Sequence, residues 1–159
     1  GDPLAKEQEA IALCNKHSDC VFAAFTPPQS ITEQLCVDLL RVCNLFPAIR
    51  VDVDPRDARR AAELLRRYRL PFGVACGCTA DNADQVATKT YYDTVIGVGA
   101  KFCWFFSCPA YGPSRPPTPE QLEAIHRRVK AFRKTEPLLT LDFWDGPGIS
   151  EAAPQGGKT

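Results

Sequence analysis

Four short apolar runs, at residues 20–26, 48–53, 72–78 and 101–108, constrain this chain more than any other feature. Each has the length of a strand, and those at 20–26, 72–78 and 101–108 are almost continuously apolar rather than alternating. That is the pattern of strands buried inside a sheet. The stretches between them have helical periodicity. In residues 30–43, Ile31, Leu35, Leu39 and Val42 form one stripe, widened by Cys36, Leu40 and Cys43. After Asp54-Pro55, which reads as a cap followed by a first helical turn, Ala58, Ala61, Ala62, Leu65 and Tyr68 share a face. A helix at 4–17 precedes the first run. A last helix opens at Thr118-Pro119 with Gln121 completing a capping box, and Leu122, Ile125, Val129 and Phe132 follow as its apolar stripe. Strands joined by helical crossovers pair in parallel, so the expected class is α/β.

Two stretches are ambiguous. Residues 79–100 read either as a short helix capped by Asp81 or Asp84, or as an edge strand at 89–98. Beyond residue 135 helical periodicity is lost. The apolar patch at 138–144 reads either as an extra element docked back on the domain or as a peptide that inserts into a partner, and 146–159 is expected to form a flexible end. The expected organisation is one domain over 1–135 with a partly flexible C-terminal extension over 136–159.

The chain has 159 residues, enough for one sizeable core. Nineteen basic residues balance nineteen acidic ones, so net charge points to neither nucleic acid nor membrane as the main partner. No apolar run reaches the roughly 18–20 residues of a membrane span. The eight cysteines lie mostly within apolar runs, where thiols pack as small hydrophobes. This favours reduced thiols in a reducing intracellular compartment, with any N-terminal targeting segment missing from the chain.

Residues 21–33 are the expected functional junction: an apolar strand, a Pro27-Pro28 turn, and a helix restarting at Ser30, with Glu33 reaching back in a capping box. The order helix, strand, helix, strand, helix, two strands and a closing helix over residues 4–134 resembles the thioredoxin superfamily. Phe25-Thr26-Pro27-Pro28-Gln29 followed by Thr32-Glu33 is similar to the peroxiredoxin loop, and Val51-Asp52-Val53-Asp54-Pro55 and Leu70-Pro71-Phe72 have the same flavour. The resemblance implies a three-layer α/β/α sandwich around a mixed sheet of four to five strands. It also implies a reactive cysteine at the strand-to-helix junction, and Pro71 beside it in a cis peptide. The expected cysteine is absent: Gln29 occupies its place, and neither Gln nor Ser forms a mixed disulfide or a sulfenic acid.

The leading expectation is therefore a redox-inactive thioredoxin-fold domain that binds a protein or peptide through Thr26, Pro27, Pro28, Gln29, Ser30, Thr32 and Pro71. An alternative is a thiol-disulfide oxidoreductase or peroxiredoxin-like enzyme using Cys76 and Cys78, whose central Gly77 permits a strained disulfide. A third is an RNA-associated subunit using the basic helix faces formed by Arg56, Arg59, Arg60, Arg66 and Arg67 and by Arg127 and Arg128. Cys14, His17 and Cys20 have ligand-like spacing but read as a helix end. No metal and no cofactor is expected.

Overall fold

In a parallel sheet the strand order decides where the helices go, because strand–helix–strand crossovers are right-handed. The computed structural model describes residues 2–51, 54–107 and 115–143. Strands β1 (Phe22–Thr26), β2 (Leu45–Val51), β3 (Gly73–Cys78), β4 (Phe102–Ser107) and β5 (Leu139–Phe143) form one sheet in the order β1-β2-β3-β4-β5. All four pairings are parallel. Sequential order with one handedness carries every crossover to the same side.

Helices α1 (Glu7–Lys16), α2 (Glu33–Val42), α3 (Arg59–Arg67), α4 (Lys89–Val98) and α5 (Pro119–Phe132) lie there as neighbours in chain order. α1 touches α2, α2 touches α3 and α3 touches α4. Tyr92 of α4 meets Phe132 of α5 with ring centroids 4.8 Å apart.

The described residues thus form two layers, not three, and the sheet is parallel, not mixed. Two local outcomes produce this. Residues 89–98 are a helix, capped by the Thr88 hydroxyl accepting from the Tyr91 amide at 3.3 Å, with Tyr91, Tyr92, Val95 and Val98 buried at helical spacing. Residues 139–143, expected in the extension, pair with β4 as the fifth strand.

Register assigns each strand residue to a face. Ala24 and Thr26, Leu45, Ile49 and Val51, Val74, Cys76 and Cys78, Cys103 and Phe105, and Thr140 point to the helices and are buried. The main core lies between this face and the helices. Tyr91 and Tyr92 cover Phe105, with centroids 5.8 and 6.4 Å away.

The helix ends follow the sequence with two corrections. Thr32, not Ser30, caps α2, accepting from the Leu35 amide at 3.1 Å. Ser30 ends a 3-10 turn and donates its hydroxyl to Asp2 at 2.9 Å, while Glu33 turns away to Arg67 at 3.1 Å. β2 begins at Leu45, three residues earlier than expected. Pro47 is tolerated inside it because β3 pairs with β2 only from Ala48 onward. The Thr118–Gln121 capping box of α5 and the Asp54 cap before α3 form as expected.

Candidate functional site

The opposite face of the sheet carries Ala23 and Phe25, Phe46, Ala48 and Arg50, Gly73, Ala75 and Gly77, Phe102, Trp104 and Phe106, and Leu139, Leu141 and Phe143. Small residues occupy its middle and large apolar ones its flanks. The flanking rings lean inward over the small ones. A Cβ on Gly73 would fall 2.0 Å from Cε2 of Phe102, so this ring lies directly on the glycine backbone. Phe25 reaches Trp104 at 5.6 Å and Phe106 at 5.0 Å between centroids, both edge-to-face. β1 and β4 are three strand spacings apart, about 14 Å in a flat sheet. Contact across that span requires both rings to bend over the Ala48, Ala75 and Gly77 floor. Phe143 extends the cluster, stacking on Phe106 at 4.9 Å with an 8° interplanar angle.

The result is an aromatic trough with no helix of the described residues over it. Its rings are half-buried on β1, β2 and β4, and its β5 wall is open: Leu139 is 60% and Phe143 45% exposed.

The helix-covered face is chemically different. Cys76, Cys78 and Cys103 point into it, and each is 0% exposed. Tyr91 lies over the same cluster, and burial pushes its phenol well above the usual tyrosine value, reinforced by the neighbouring Cys76 and Cys103 thiols. Burial likewise pushes the Cys103 thiol well above its ordinary range. Burial, with the Glu33 carboxylate nearby, raises Cys36 to about 11. A thiol is a nucleophile only as thiolate, so these environments silence sulfur chemistry at Cys36 and Cys103. Cys76 and Cys78 do point the same way along β3, but toward packed helices rather than toward an entrance. Cys43 differs from its expected core position: it is exposed at the C-cap of α2 with φ 61°.

The residues expected to form one binding groove are divided. Pro28, Gln29 and Thr32 line a cleft of ≈ 820 Å³ between the start of α2 and α3, facing Arg60 and Arg67. Thr26 is fully buried on the helix side, and Pro27 is half-buried at the end of β1. Pro71 is at the other end of the molecule. It precedes β3 and so lies at the edge where strands begin, whereas residues 27–32 follow β1 at the edge where strands end. The peptide bonds of the described residues are all trans, Leu70–Pro71 among them.

Cys14, His17 and Cys20 are brought together through their backbones. Their carbonyls accept from Nδ2 of buried Asn44 at 3.1, 3.1 and 3.0 Å, which closes the end of α1. Among the described residues no group of three or more His, Cys, Asp or Glu is placed to hold a metal ion. No helix of the described residues is long and apolar enough to cross a membrane.

The basic residues also divide. Arg128 is structural, its guanidinium donating to the carbonyls of Ala83 and Asp84 and clamping the turn before α4. Arg127 approaches Glu123 at 3.9 Å on the exposed side of α5, Arg56 pairs with Asp54, and Arg67 pairs with Glu33. Arg59, Arg60 and Arg66 are exposed. No family model and no curated protein matches the chain.

The aromatic trough escaped the sequence reading, although a signal was present. Gly73, Ala75 and Gly77 alternate with period two, and so do Phe102, Trp104 and Phe106. Small residues in one strand complement large ones in the next.

Proposed function

We propose that this chain is a binding module whose aromatic trough docks an apolar surface of a protein partner. One observation carries the reading: a parallel sheet with one helix-covered face presents a continuous aromatic face on the other side. Parallel sheets occur almost only with both faces covered, and contiguous apolar surface of this kind marks interaction sites. Aromatic side chains are also the residues that dominate interface energetics. The partner surface that fits is apolar, such as a helix packed across the outer side of the ring cluster that Phe25, Trp104, Phe106 and Phe143 form.

This retains the protein- or peptide-binding role expected from the thioredoxin resemblance but moves it off the residue 26–32 junction. A thioredoxin-like ancestry remains a proposal carried by element order alone. The thiol-enzyme alternative finds less support, because Cys76 and Cys78 are buried beneath α4 and the other helices.

Hydroxyl-radical footprinting tests the reading on the purified chain and on the complex isolated from cells. Trp104, Phe106 and Phe143 should be oxidised readily in the purified chain and protected in the complex. Equal oxidation in both samples overturns the proposal.

A further inference from the structure

A second surface, on the helical side, has a different chemistry. Arg59, Glu63 and Arg66 of α3 face Thr94, Gly97 and Val98 of α4 across one cleft of ≈ 360 Å³. A second cleft of ≈ 420 Å³ continues from it, sharing Arg66 and Gly97 and adding Arg69, Leu70, Ile96 and Lys101. Together they make one groove along the α3–α4 seam.

Its floor is partly apolar, from Val98, Ile96 and Leu70. Gly97 leaves it open, since a Cβ there would meet nothing within 4 Å. Arg59, Arg66, Arg69 and Lys101 line it, are exposed, and make no ion pair among the described residues. Glu63 is the one carboxylate among the lining residues. The other arginines of α3 differ: Arg67 turns to Glu33, and Arg60 faces the α2 cleft.

We infer that this groove binds an acidic, partly apolar peptide segment of a partner protein. Arg56 also lines the groove but is held by Asp54, so four cations without an ion pair stand against one carboxylate and set the sign of the ligand. Guanidinium groups take carboxylates in bidentate geometry. The apolar floor selects a peptide over a nucleic acid, because no exposed aromatic ring lines the groove to stack on bases. Spacing narrows the ligand further. Arg59 and Arg66 are seven residues apart on one helix, about 10 Å along its axis. A peptide in the polyproline II conformation covers that length in about three residues and returns a side chain to the same face at every third. The matching segment therefore has acids three positions apart, bracketing apolar residues that face Ile96 and Val98.

The probe is a fluorescein-labelled peptide with glutamates three residues apart flanking two leucines, titrated by fluorescence anisotropy. Its glutamine analogue and a labelled single-stranded RNA are run beside it. Binding of the glutamate peptide should weaken about tenfold or more in Arg59→Glu/Arg66→Glu, as expected for two exposed charge pairs reversed. Arg127→Glu/Lys130→Glu changes the net charge equally on α5 and should leave binding within about twofold. Near-UV circular dichroism checks that both variants keep the fold at these exposed positions. Three results each overturn the inference: equal affinity for the glutamine analogue, equal loss in both double variants, or RNA displacing the peptide from the groove.

Discussion

Gly73→Ala is the sharpest probe of the aromatic trough. The new methyl would sit 2.0, 2.2 and 2.4 Å from Cε2, Cδ2 and Cζ of Phe102, inside any possible contact distance. The backbone of β3 is held by ladders on both sides, so the ring must move instead. Swinging it away breaks its packing on Trp104, now at 4.8 Å between centroids. An aromatic pair contributes about 0.5–1.5 kcal/mol beyond burial. Re-exposing roughly 40–60 Å² of ring adds about 1–1.5 kcal/mol. Replacing glycine in a strand returns about 0.5–1 kcal/mol through lost unfolded-state entropy. The net expectation is a loss of about 1–2 kcal/mol.

In a Phe102→Ala background the obstacle is gone, so the same substitution should be neutral or stabilising by up to about 1 kcal/mol. Urea unfolding of the four proteins gives the coupling energy directly, expected near 2 kcal/mol. Trp104 emission should shift in the single Gly73→Ala variant as its neighbouring ring leaves. Additive effects, with coupling under about 0.5 kcal/mol, would mean that Phe102 does not rest on Gly73, and the account of the trough would fail.

Two further outcomes follow from buried polar chemistry. Asn44→Ala removes the donor to three carbonyls at the end of α1 and should cost about 2–3 kcal/mol in urea unfolding. Asn44→Asp should cost more, since it turns a carboxylate toward those carbonyls; stability equal to the parent would refute the bonding. The protein should also lose stability in alkali. Cys36 ionises near 9.0 when unfolded but only at about 11 in the fold. The unfolded chain therefore releases its proton first. The stabilisation is fully present below pH 9 and is lost as pH rises toward 11, on the order of 2 kcal/mol from this one thiol. Cys36→Ala should reduce the fall in unfolding free energy between pH 8.5 and 10.5 by roughly that amount, whatever it does to stability at neutral pH. An unchanged slope would place Cys36 in water rather than in the core.

The alternation of strands and helices was legible because each run has its own punctuation. Asp54-Pro55 and Thr118-Pro119-Glu120-Gln121 announce helix starts, and both cap as expected. The two faces of the sheet were not legible, for a specific reason. In β4 the helix-facing residues are Cys103 and Phe105 and the trough-facing ones are Phe102, Trp104 and Phe106. Both sets are apolar. A reading that separates polar from apolar positions sees an unbroken run and infers burial on both sides, whereas the distinction lies in size and shape. Residues 138–144 were legible as an apolar patch that docks on the domain, and 139–143 do so as a strand of the sheet. Its polar positions were the less legible part: Thr140 is buried under the helices, and Asp142 is held there by His126 at 2.5 Å and Arg133 at 3.3 Å.

The fate of Pro71 shows how much hangs on strand order. The thioredoxin resemblance places that proline beside the 26–32 junction. In a sheet whose strands are all parallel, every helix-to-strand loop lies at one edge and every strand-to-helix loop at the other. Pro71 is in the first kind of loop and Gln29 in the second. They are separated by the length of a strand, roughly 20 Å for six residues. No side-chain adjustment bridges that gap, so the two cannot belong to one groove in this topology. What residues 27–32 can share is a surface with other strand-to-helix loops and with the starts of the helices that follow. The cleft to Asp57 and Arg60 realises this. The trough differs again, being built from the strands themselves. Its geometry depends on the register of β3 against β4 and not on any loop. The Gly73–Phe102 contact therefore tests the sheet's winding and its binding face together.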